Sequence, residues 1–331
     1  MSAALTRDDW VAVVAGAVGL LLLGRSAAGN ATAAAWTAWG GAALMFAVLV
    51  PAVAGHLREL VAADPVWRFI IPAFVLAAGL SGAIVAGDVP TARLVAWPVA
   101  VAAAVVVAGT GPKEPAAWQL LACAVLIGAA AAAWDRSLRL AVPSGPRIGF
   151  TFFSAVALAA FLFNSARPLP TFNLRLALSR KDIVAALIGV AAIVVVALPL
   201  GAVAGFVVWE PRLGSLDAAV LRLLSYAVFI GLPEEMLFRG LIQEGLGRRF
   251  GAGRGWIAAS VLFGLAHIGR ETGLTELQRT ELAGLNWRLA LLATTAGLGY
   301  GWVYRTTGRL AAAALTHGIV NWLWSGLFLR G

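Results

Sequence analysis

The sequence predicts an all-α fold, a polytopic transmembrane helical bundle, on three observations. Its 331 residues are 61% hydrophobic and only 12% charged, against about 25% charged in soluble globular chains. Mean hydropathy is +0.87, so lipid must solvate most of the chain. The apolar residues come in long unbroken runs, whereas a membrane β-barrel would alternate over segments of about ten residues. At roughly 20 apolar residues per crossing, this length holds about 10–11 spans.

Reading the apolar runs against their breakers places spans near 10–28, 31–55, 69–87, 94–110, 116–134, 149–166, 183–209, 218–247, 255–268, 287–306 and 308–329. The first run follows Arg7, Asp8 and Asp9 and lacks a small-residue cleavage site, so it reads as a retained helix and not a signal peptide. Breaks fall at Asp64-Pro65, Asp88-Val89-Pro90, the Gly111 to Pro115 stretch and Ser144-Gly145-Pro146-Arg147. Two connectors, 56–68 and 171–182, mix apolar and basic residues and read as interfacial helices. The second divides an N-terminal transmembrane region of unknown role, residues 1–170, from a C-terminal region, residues 171–331.

The net charge is +9, yet the basic residues sit singly in short loops, as topology signals do. No aromatic-interleaved basic stripe of a nucleic-acid binder is visible, so the partner is a lipid bilayer and not nucleic acid. Thirteen basic loop residues on the side of the N-terminus against eleven opposite favour a cytoplasmic N-terminus, and the densest clusters, 167–181 and 248–254, agree. Twenty-three arginines against two lysines, with heavy Ala and Gly, indicate a GC-rich bacterial coding sequence and hence a bacterial cytoplasmic membrane. The single cysteine, Cys123, lies inside an apolar run and reads as a small core hydrophobe, leaving no disulfide or thiolate metal site. No internal repeat supports the paired halves of a transporter. Nothing in the pattern specifies an oligomeric state.

Ionisable groups at membrane depth are costly and are functional candidates by default. Residues 1–165 carry almost none in their spans, and the exceptions concentrate in the last third of the chain. They are Glu234, Glu235 and Arg239, then His267 four residues after Phe263, then His317 four residues before Asn321. Glu235 and Arg239 stand at i and i+4 with the acid first, the favourable order for an ion pair. Glu234 points about 100° away around the helix and needs a partner on another helix or in water. Two of the three histidines share this region; His56 falls in a connector and reads as a solvated surface residue.

One free carboxylate, two imidazoles and an amide suit hydrolysis. A carboxylate in an apolar setting can take a proton from water, with an imidazole holding that water. A second imidazole and an amide can donate to the oxyanion of an attacked carbonyl. Glu234, His267 and His317 also form a His₂Glu set that permits a divalent metal such as zinc, although the helical H-E-x-x-H signature is absent. A non-hydrolytic multi-pass protein, a proton-coupled transporter or a binding scaffold, is the alternative reading, since proton relays also use Glu and His.

Together, Glu-Glu-x-x-x-Arg at 234–239, Phe-x-x-x-His at 263–267 and His-x-x-x-Asn at 317–321 resemble the CAAX protease and bacteriocin-processing (CPBP, or Abi) family of intramembrane proteases. The Gly297 to Leu310 segment, with its Gly-Tyr-Gly, is similar to the family's helix before the last motif. The resemblance covers about residues 215–330 and implies a CPBP-like protease domain within 171–331. It implies an endopeptidase acting on a peptide or membrane-protein substrate, with Glu234 activating water and His267 as its partner. His317 and Asn321 would bind the oxyanion, and Glu235, Arg239 and Phe263 would support the site. The family has been described in metal and glutamate-type terms. The glutamate type is favoured because the Asn321 amide fits an oxyanion donor better than a fourth ligand, so no cofactor is expected. The bacterial coding bias argues against a prenylated substrate.

Overall fold

A computed structural model of the chain describes residues 50–74, 102–107, 116–134, 139–141, 147–149, 157–166, 168–169, 176–212, 214–270 and 285–330, with the single residues 6, 9, 13, 47 and 99. The expected spans 10–28, 31–55, 69–87 and 94–110 lie largely outside these residues. The chain divides into two compact units, Met1–Ala177 and Leu178–Gly331.

In the first unit, helix α1 runs Pro51–Ala63. It starts inside the stretch expected to be one span over 31–55, because Pro51 has no N–H to continue a ladder and is suited to a helix's first turn. The Ala52 N–H, an orphan donor of that first turn, reaches the Asp9 carboxylate at 2.7 Å. The expected break at Asp64-Pro65 ends the helix, and His56 is exposed beside Glu59 as expected. Helix α2, Ala117–Trp134, matches the expected span 116–134. Cys123 is a buried free thiol there, its Sγ 3.7 Å from the Ala104 carbonyl. Strands β1 (Arg139–Ala141) and β2 (Arg147–Gly149) pair antiparallel across the expected Ser144 to Arg147 break. Residues 157–166 are helical and close in a π-turn, Leu162–Ala166, whose Ser165 hydroxyl donates to the Ala54 carbonyl of α1.

In the second unit, Ser179 forms a reciprocal capping box with Asp182 and starts helix α3, Arg180–Val203. The interfacial helix expected over 171–182 is therefore not seen in its described part: 176–179 is irregular and Arg180 opens the long helix. The end of the expected span 183–209 is corrected too. The chain turns at Gly205 (φ +62°) and Val207–Trp209 forms strand β3.

Helix α4 runs unbroken from Leu216 to Phe250, α5 covers Ala252–Leu265, α6 covers Trp287–Thr307 and α7 covers Leu310–Leu327. Their positions coincide with those of the last four expected spans, of which α4 is long and apolar enough to cross a membrane; Phe328 and Leu329 leave the final one and with Arg330 form β4, antiparallel to β3. The fold is mostly helical, and the two short ladders are its described departures from an all-α expectation. Helix α6 packs on α5 and α3, and α7 packs on α4, α3 and α6.

Among the described residues, α3 and α4 are long and apolar enough to cross a membrane. Helix α3 leaves Ile183, Leu187, Ile188, Val195 and Val196 exposed, a face that fits hydrocarbon and would be an aggregation hazard in water. Helices α4 and α7 meet closely where Gly318 faces Ala227. A Cβ on Gly318 would lie 2.6 Å from the Ala227 Cβ and 2.7 Å from its Cα, so only glycine permits this approach next to His317.

Candidate active site

Helix α4 is irregular where it carries the acids. Two π-helical segments, Tyr226–Gly231 and Met236–Gln243, flank a single α-turn, Leu232–Glu235. Pro233 explains the disturbance: it has no N–H for the ladder and its ring crowds the preceding turn. Such π-bulges occur often at functional sites. Both Glu234 and Glu235 are buried, and Glu235 is wholly enclosed.

Each oxygen of Glu235 is committed. Oε2 accepts from Nε of Arg239 at 2.8 Å, the intrahelical pair that the i, i+4 spacing predicts, with both side chains fully buried. Oε1 accepts from Nδ1 of His317 on α7 at 2.9 Å. Glu235 therefore ties two helices together and fixes the imidazole of His317 with Nδ1 as the donor. The remaining nitrogen, Nε2, lies 3.8 Å from Oε2 of Glu234, too far for a hydrogen bond. That Glu234 oxygen is buried and has no hydrogen-bond partner among the described residues. The other Glu234 oxygen lies 3.7 Å from the Arg270 guanidinium, whose side chain is 56% exposed.

His267 sits in the turn after α5, half-buried. Its Nδ1 is 2.8 Å from the Phe263 carbonyl, and since a carbonyl only accepts, Nδ1 carries the proton and Nε2 presents a lone pair. Glu234, Arg270 and His317 all lie within electrostatic reach of this ring. Phe263 is the buried hub of the cluster, with ring centroids 4.8 Å from His267, 5.7 Å from His317 and 5.9 Å from Tyr300. The Arg239 guanidinium lies 5.5 Å from the centre of the Phe263 ring, where the π face offers partial compensation to a buried cation. Two of its nitrogens, Nη1 and Nη2, have no hydrogen-bond partner among the described residues.

Six of the seven expected site residues, Glu234, Glu235, Arg239, Phe263, His267 and His317, are thus joined by ion pairs, hydrogen bonds and ring contacts. Asn321 is half-buried one turn beyond His317 on α7 and makes no hydrogen bond with a described residue. Three neighbours were not singled out from the sequence. Tyr300 stacks on His317 with centroids 4.4 Å apart and planes 11° from parallel; the Gly-Tyr-Gly segment contained it without marking a role. Arg270 pairs with Glu234, and its only signal was a position three residues after His267. Asn286, discussed below, carried none. Among the described residues, no group of three or more His, Cys, Asp or Glu side chains is arranged to hold a metal ion.

Comparison with known proteins adds one finding. Residues 216–323, about a third of the chain, match the family model described as Rce1-like, type II CAAX prenyl endopeptidase. No curated protein and no solved structure matches the chain. The matched region contains all three motifs and the whole cluster described above.

Proposed function

We propose, from the membership of residues 216–323 in the CPBP family of CAAX-protease-like endopeptidases, that this protein hydrolyses a peptide bond within or beside the membrane, using water activated by Glu234 and His267. The observation that carries this reading is Oε2 of Glu234, buried, without a hydrogen-bond partner among the described residues and 3.8 Å from Nε2 of His317. A buried acceptor costs free energy until a donor completes it. A water there is placed for deprotonation by the carboxylate.

The water oxygen attacks the carbonyl carbon of the scissile bond while its proton passes to Glu234. The C=O π pair moves onto oxygen, and the Nε2 lone pair of His267 orients the attacking water. His317 has Nδ1 committed to Glu235, so it donates to the oxyanion from Nε2 only as the imidazolium. This step requires Glu234 as the carboxylate and His317 as the imidazolium at the moment of attack. The Asn321 amide is the second oxyanion donor. Collapse of the intermediate restores the C=O bond, breaks the C–N bond, and returns the proton from Glu234 to the leaving amine. The products are one new carboxyl and one new amino terminus, with no covalent enzyme intermediate.

In this reading Glu235 and Arg239 hold His317, and Phe263 forms the wall between the two imidazoles. The substrate is a peptide or membrane protein of a bacterial cytoplasmic membrane. The test is cleavage of a membrane-peptide library by the purified protein in lipid vesicles, beside its His267→Ala variant. Products from the wild type and none from the variant support the proposal. Equal products from both would overturn it.

A further inference from the structure

We propose that Asn286 is a positioning residue, one that ties the His267 to Arg270 turn to the start of α6 and so holds both side chains against Glu234. The inference rests on the hydrolytic reading above. Asn286 is fully buried. Its Oδ1 accepts the Leu289 N–H at 3.1 Å and caps α6, while its Nδ2 donates to the Arg270 carbonyl at 3.0 Å. Its backbone N–H donates to the Ile268 carbonyl at 2.6 Å. Both carbonyls belong to the turn that carries His267 and Arg270. The same turn is held at its start by the Ala266 and His267 N–H groups, which donate to the Leu262 and Gly264 carbonyls of α5. One side-chain and one backbone bond from Asn286 at one end, and backbone bonds within α5 and the turn at the other, therefore set where the imidazole and the guanidinium project.

The chemistry of the amide allows the two duties to be separated. Capping needs only an acceptor, and aspartate or serine caps a helix about as well as asparagine. The tie to Arg270 needs a donor at the same time. An ionised aspartate offers acceptors alone and sets a carboxylate against the Arg270 carbonyl. Serine can cap but is too short to span to that carbonyl.

The experiment compares wild type, Asn286→Asp and Asn286→Ser in lipid vesicles, reading amide hydrogen exchange over 266–270 and over α6. It also reads kcat, KM and the pH profile of cleavage, with a peptide whose new terminus depends on Glu234. Both variants are expected to keep the protection of α6 and to exchange faster over 266–270. Their kcat should fall on the order of tenfold to a hundredfold, as small misplacements at a reacting centre do, with little change in KM and an altered pH profile. Unchanged exchange and unchanged kcat would make Asn286 a cap alone and overturn the proposal. Loss of the fold in both variants would make it a structural residue and overturn it too. If the wild type cleaves nothing, faster exchange over 266–270 still supports the tie while the hydrolytic reading fails, and unchanged exchange defeats both.

Discussion

Glu235 of α4 and His317 of α7, 82 residues apart in the chain, share a hydrogen bond of 2.9 Å between Oε1 and Nδ1. That contact makes one nitrogen of His317 structural and leaves the other facing Glu234. It also explains the adjacent acids: one carboxylate is saturated by Arg239 and His317, and the other keeps an oxygen with no hydrogen-bond partner among the described residues. The two glutamates should therefore respond differently to substitution.

Glu235→Ala is expected to destabilise the protein by about 3–5 kcal/mol, the usual consequence of leaving one member of a buried ion pair alone. Arg239 would keep a buried cation with no carboxylate, and His317 would lose its orientation. The measurement is thermal unfolding in detergent together with cleavage rate. Both should fall, whereas Glu234→Gln should leave the unfolding midpoint near that of the wild type. A Glu235 variant as stable as wild type would contradict the bridging role.

Gly318→Ala should weaken the α4–α7 contact by about 1–3 kcal/mol through overpacking, since the added Cβ meets Ala227 at 2.6 Å. The helix shift required also moves His317, the next residue, away from Glu235. Unfolding and cleavage measured together are expected to drop in step. An unaffected midpoint would show that the contact can relax at little cost.

The last third of the chain was legible in the sequence for a definite reason. Glu235 and Arg239 find each other within one helix turn, so spacing alone predicts their bond. Glu234 was expected to need a partner on another helix or in water; Arg270 lies 3.7 Å from one of its oxygens and His317 3.8 Å from the other, neither within hydrogen-bond distance. What spacing does not contain is which helices face one another. The Glu235–His317 bond, the stacking of Tyr300 on His317 and the tie through Asn286 all join separate elements and left no periodic trace. The π-segments around Glu234 depend on Pro233 acting inside a long helix, where a breaker rule predicts a kink or an end. The β3–β4 ladder escaped notice because Val207 to Trp209 and Phe328-Leu329 end apolar runs that read as helix.

Asn321→Ala is expected to lower kcat about 10²–10³-fold with little change in KM, the behaviour of a lost oxyanion donor. Steady-state kinetics on the cleaved peptide check this. A rise in KM with kcat preserved would move Asn321 from the reacting centre to substrate binding.

Chelation separates the two chemistries that the same side chains permit. Cleavage is expected to persist after exhaustive treatment with a strong chelator, and the purified protein is expected to lack stoichiometric zinc. Activity that vanishes on chelation and returns with added zinc would instead make Glu234, His267 and His317 ligands.

The most direct test of the central claim compares the protein and peptide termini of cells carrying the wild type with those of cells carrying Glu234→Gln at equal abundance. The account predicts at least one new terminus, from a membrane-associated substrate, that forms only with the wild-type chain. The same terminus forming at the same level in both cells would contradict a catalytic role for Glu234.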